Sequence, residues 1–115
     1  MSRGFGRLQR SLMAIIRHHG RPMTFAEIRG ERRHPTRERS VRRALRSLVD
    51  DYMLIAIGDG GRREPTRYFI HPLIIRKAGD KDLWQAFEGD PGAEEAVDKM
   101  TASMARETRG ASEPL

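Results

Sequence analysis

Between residues 36 and 51 the chain reads TRERSVRRALRSLVDD, and no other stretch constrains the fold as tightly. Val41, Ala44, Leu45, Leu48 and Val49 recur at helical spacing and form one apolar stripe, while Arg37, Arg39, Ser40, Arg42, Arg43 and Arg46 occupy the remaining faces. A helix over 36–51 must therefore bury one side and leave a cationic side in water. The segment from Arg29 to Arg46 holds eight Arg and two Glu, a net of +6 that equals the net charge of the whole 115-residue chain. Like charges at that density oppose folding, and a phosphate backbone is the obvious polyanion to offset them.

The flanking segments give this helix a frame. Phe5, Leu8, Leu12, Ile15, Ile16 and His19 mark one face of an amphipathic helix from about Gly4 to His19, with Gly20 as its stop and Pro22 preventing continuation. Thr24-Phe25-Ala26-Glu27 is a T-x-x-E capping box that starts a helix of about two turns, ending near Gly30. Thr36 is the expected N-cap of the basic helix. After it, Met53–Ile57 and Thr66–Ile70 are β-prone runs joined by the Gly- and Arg-containing loop 58–65, which predicts a hairpin with a long tip.

Beyond Pro72 the pattern weakens. Leu73, Ile74 and Ile75 form an apolar run without a clear period, Asp80 or Asp82 suits the cap of a segment holding Leu83, Trp84 and Phe87, and Gly89-Asp90-Pro91-Gly92 breaks it. A last helix from about Ala93 to Arg106 would align Ala96, Val97, Met100 and Met104. The expected organisation is a domain over 4–72, a C-terminal helical extension over 73–107 that offers a dimer interface, and a disordered tail over 108–115. The fold class is mainly α with a small β-hairpin, α+β.

Charge is segregated along the chain. Residues 1–76 contain 17 Arg and 7 acidic residues, a net of +10, whereas residues 77–115 contain 5 basic and 9 acidic residues, a net of −4. Every basic residue in the first segment is Arg, whose planar fork suits phosphate and guanine. With no cysteine, disulfides and thiolate metal sites are excluded. The four His have no i, i+4 pair and no H-E-x-x-H motif, so no metal is expected. Asp50 and Asp51 are adjacent and point apart on a helix, and Gly58-Asp59-Gly60-Gly61 fits no nucleotide-binding pattern, so neither enzyme activity nor a cofactor is expected. The run Leu12–Ile16 is too short to cross a bilayer, and a cytoplasmic, nucleoid-associated location is expected.

The order helix, capped helix, basic helix, strand, loop, strand over about residues 5–72 resembles the winged helix-turn-helix superfamily. The segment TRERSVRRALRSLVDDYMLI looks like the passage from recognition helix to wing in MarR-like and related bacterial transcriptional regulators, with Ser40, Val41, Arg43, Leu45 and Leu48 at the matching positions. Those proteins often carry Gly before the strand, where this chain has Tyr52-Met53, so its turn has to be made differently. The resemblance implies a sequence-specific double-stranded DNA-binding protein, a regulator acting as a homodimer, with helix 36–51 in the major groove and loop 58–65 as the wing. Its DNA contacts would come from Thr36, Arg37, Arg39, Ser40, Arg42, Arg43 and Arg46 on the helix and from Arg62, Arg63 and Arg67 on the hairpin. Trp84, Phe87, Val97, Met100 and Met104 would supply the dimer interface. Two other readings fit the same frame: a winged-helix protein-interaction adaptor in a chromosome or replication complex, and an RNA-binding protein, the latter disfavoured by an aromatic content of only 6%.

Overall fold

Helix α1, Arg7–His19, is positioned by its apolar face: Leu12 and Ile16 are fully buried, and Leu8, Met13 and Ile15 pack around them. It stops at Gly20, whose φ of 66° allows the left-handed turn in which its amide donates to the Ile16 carbonyl at 3.0 Å. The computed structural model describes residues 6–31, 37–58 and 65–112, with side chains as far as residue 102.

A two-residue strand, β1, Met23–Thr24, follows. Thr24 then caps α2, Phe25–Gly30, through the reciprocal bonds expected from its sequence: Glu27 N donates to Thr24 Oγ1 at 3.2 Å, and Thr24 N donates to Glu27 Oε1 at 3.0 Å. Helix α3, Glu38–Asp50, buries Val41, Ala44, Leu45 and Leu48, the stripe read from its periodicity. Its N-cap is Arg37, which makes no side-chain capping bond, and Thr36 lies outside the described residues.

The exit from α3 explains how the chain dispenses with glycine there. Met53 N donates to Leu48 O at 2.9 Å and Tyr52 N to Val49 O at 3.0 Å, the paired bonds of a Schellman turn. Tyr52 takes the left-handed position with φ 61°, a conformation that costs a non-glycine residue roughly 1–2 kcal/mol. Its ring packs edge-on against His71, with centroids 6.4 Å apart.

Strands β2, Leu54–Ile57, and β3, Arg67–Ile70, form the antiparallel hairpin in the register Leu54↔Ile70 through Ile57↔Arg67. Strand β1 adds to the other edge of β3, Met23 opposite Tyr68, so the sheet has three antiparallel strands in the order β1-β3-β2. Successive strand residues face opposite sides, and Leu54 and Ile55 are both fully buried, so β2 is covered on both faces.

Pro72 ends β3 and also opens α4, Pro72–Ala78, where its missing N–H is no loss. His71 caps this helix: its Nδ1 accepts from Leu73 N at 3.1 Å, which requires the neutral imidazole. Burial holds the His71 pKa below its ordinary value. Asp80, not Asp82, caps α5, Lys81–Glu88, accepting from Leu83 N at 3.0 Å.

The last helix, α6, Ala93–Ser112, packs against β2 through buried Ala93 and Ala96. Its backbone continues as helix past Arg106 to Ser112, into the segment read as a disordered tail, with no proline before Pro114 to interrupt it. Ile75, Leu83, Ala93 and Ala96 share one core with Leu12, Leu45, Phe69 and Ile70, so the C-terminal helices complete the core that the first 72 residues begin. Among the described residues no helix is long and apolar enough to cross a membrane.

Candidate nucleic-acid interface

The buried stripe of α3 decides which of its arginines reach solvent. With Val41, Leu45 and Leu48 anchored in the core, each worth roughly 1.5–3 kcal/mol of burial, Arg39, Arg43 and Arg46 emerge along the opposite side at i, i+4 and i+7. Together with Glu38 and Arg42 they line a shallow trough running along the helix. Among the described residues no carboxylate pairs with Arg39, Arg43 or Arg46.

Arg42 sits in the same trough but is held. Its Nε donates to Glu38 Oε2 at 3.0 Å, and its guanidinium lies 4.0 Å from the centroid of the Phe25 ring at the start of α2. Arg42 also stands near Tyr68, where its charge partly opposes the burial that raises the phenol pKa. The other Glu38 oxygen receives Arg29 Nη1 from α2 at 3.5 Å. Glu38 therefore ties the end of α2 to the start of α3, and Phe25 serves as a platform as well as an apolar contact.

Arg37 and Ser40 are exposed at the helix N-terminus. There the aligned peptide dipoles favour anions, and one turn further in Ser40 borders a second shallow recess with Gly6, Gln9 and Arg43. Thr36, Arg62 and Arg63 lie outside the described residues.

Arg67, expected to support the hairpin contacts, is committed elsewhere. Both of its terminal nitrogens bond the two carboxylate oxygens of Asp90, in the turn between α5 and α6. The Asp90 side chain is only 10% exposed. Burial would raise its pKa, but the Arg67 guanidinium and the amides of Gly92 and Ala93 more than offset this and hold it below the usual carboxylate value. Gly92 N donates to Asp90 Oδ1 at 2.9 Å, and a Cβ on Gly92 would come within 2.9 Å of Ile57 Cγ2. The root of the hairpin is thereby locked to the C-terminal helices.

The residues expected at a dimer interface are partly engaged within the chain. Trp84, Phe87, Val97 and Met100 are half-buried and pack on the core, and the Met104 side chain lies outside the described residues. Trp84 and Phe87 stack with centroids 5.4 Å apart, and Arg76 covers the indole at 5.3 Å. Among the described residues no group of three or more His, Asp or Glu is arranged to hold a metal ion.

Sequence reasoning missed Glu38, Phe25 and Asp90 as organisers of these arginines. The i, i+4 spacing of Glu38 and Arg42 was a signal for the first. Nothing local points from Asp90 to a partner 23 residues away. No protein-family model and no curated protein matches the chain.

Proposed function

We propose that this protein is a winged helix-turn-helix that binds double-stranded DNA sequence-specifically and acts as a transcriptional regulator, with α3 in the major groove and loop 58–65 as the wing. The observation that carries the reading is the stripe of Arg39, Arg43 and Arg46, exposed, without carboxylate partners among the described residues, and backed by a helix face wholly committed to the core. A helix fits a groove about 12 Å wide, and guanidinium groups spaced along it suit phosphates on the rims and guanine O6 and N7 on the floor. The element order α1-β1-α2-α3-β2-β3, with β3 central in the sheet, supports the winged-helix assignment.

The protein acts as a homodimer through its C-terminal region, and resides in the cytoplasm with the nucleoid. Among the described side chains Met100 is the last that packs on the core, and the backbone of α6 continues about three turns beyond it, a length of helix that suits contact with a second copy. Titration of duplex DNA fragments with Arg39→Ala and Arg43→Ala variants tests the recognition face. Each variant should bind at least several-fold more weakly than wild type at moderate salt. If both bind like wild type, the assigned face is wrong. In that case Leu73 of α4, 65% exposed, is where the adaptor reading would start.

A further inference from the structure

We infer that Glu38 is a base-selecting residue, an oriented acceptor on a face of donors that takes the exocyclic amino group of a base, cytosine in first place, at the major-groove edge. The inference rests on the DNA-binding reading and assigns one position of its specificity.

Among the described residues five side chains line the trough of α3: four are guanidinium groups, which only donate, and Glu38 only accepts. It stands at the first position of the helix, the end from which a recognition helix approaches base edges. A carboxylate there repels the phosphate backbone, so it adds nothing to non-specific affinity. Nor is it loose: Arg42 fixes one oxygen at 3.0 Å and Arg29 approaches the other at 3.5 Å. A carboxylate offers about four lone-pair sites, so two remain after these bonds, and the side chain is 54% exposed.

Only two groups on the major-groove floor donate hydrogen bonds, cytosine N4 and adenine N6, whereas guanine and thymine oxygens would face the carboxylate as acceptors. Adenine also presents the N7 acceptor beside its amino group, which disfavours it relative to cytosine. A carboxylate flanked by guanidinium groups then matches both halves of a C·G pair, with Glu38 on the cytosine amino group and a neighbouring arginine on guanine O6 and N7.

Selection of duplex DNA from a random pool by the full chain, wild type beside Glu38→Gln and Asp50→Asn, tests this. Asp50 is exposed at the far end of the same helix and removes the same charge. Wild type should enrich a motif with one position preferring cytosine by about tenfold, the discrimination ordinary for a good base contact. In Glu38→Gln that position alone should lose its preference or move to adenine, which a carboxamide reads through N6 and N7. Asp50→Asn should keep it and bind all sequences somewhat more tightly. A wild-type preference for adenine at the Glu38-sensitive position would support amino-group recognition and correct the base. If Glu38→Gln enriches the unchanged wild-type motif, with or without a uniform change in affinity, Glu38 only braces Arg29 and Arg42 and the inference fails while the DNA reading stands. A wild-type pool that enriches no sequence overturns both.

Discussion

Arg43 on α3 and Arg67 on β3 are the same side chain in opposite circumstances. Arg43 rises from a helix whose other face is buried and meets no carboxylate among the described residues, whereas Arg67 is clamped by both oxygens of an aspartate that is 10% exposed. The first region leaves positive charge uncompensated in solvent, and the second uses its charge to close the molecule. Charge counted along a chain therefore says little about which cations are available. What decides is whether the fold brings an acid to them. Among the described residues the acidic C-terminal third supplies that acid to the hairpin root and none to Arg39, Arg43 or Arg46.

The contrast is sharpest in stability. Leu45→Ala on the buried face of α3 should cost about 2–5 kcal/mol, while Arg43→Ala on its outer face should stay within about 0.5 kcal/mol of wild type, both read from denaturant unfolding. A comparable loss for the two would mean that the arginine face is also packed. At the hairpin root, Gly92→Ala places a methyl group against Ile57, itself fully buried and unable to yield, and should cost about 1–3 kcal/mol. Thermal unfolding unchanged by that substitution would show that α6 does not press on β2 as described.

Asp90→Asn removes the acid and leaves a weaker neutral acceptor, for an expected loss of about 1 kcal/mol, moderated because Arg67 is 35% exposed. Under the proposed function it also returns a cation to the hairpin, so affinity for arbitrary duplex DNA should rise. Asp90 is held below its ordinary value of 3.8, so the unfolded chain takes up its proton first as pH falls. Its contribution is present above about pH 3.8 and is lost in acid below that.

His71 gives a smaller effect in a separate window. Its folded pKa lies below 6.5, so the unfolded chain binds the proton more readily, and stability should decline as pH falls below about 6.5. His71→Asn keeps a capping side chain without a titrating one and should flatten that part of the curve. An unchanged pH profile in the variant would assign the decline to another group.

Much of this frame is legible in the sequence because its determinants are local. Periodicity places α1 and α3, the T-x-x-E box starts α2 at Thr24, and two β-prone runs mark the hairpin. What escapes is set at a distance. Met23 becomes a strand only by pairing with Tyr68, and Leu73–Ile75 has no period to announce α4, whose start depends on a histidine cap. The missing glycine before β2 is visible in the sequence, but that Tyr52 itself takes the left-handed turn is not. In the candidate site the outward arginines follow from the stripe at Val41, Leu45 and Leu48, whereas the capture of Arg67 depends on a turn that folds back from 23 residues away.

The slope of log K against log salt for duplex DNA, measured for wild type and for Arg39→Ala/Arg43→Ala/Arg46→Ala, bears on the uncompensated face without need of a known site. Each phosphate contact contributes about 0.9 to the slope. The triple variant should therefore bind far more weakly at low salt, with a slope shallower by about 2 to 3 if most of these arginines meet phosphates and by less where one is spent on a base. An equal slope and equal affinity in the two proteins would contradict the assignment of this face to DNA.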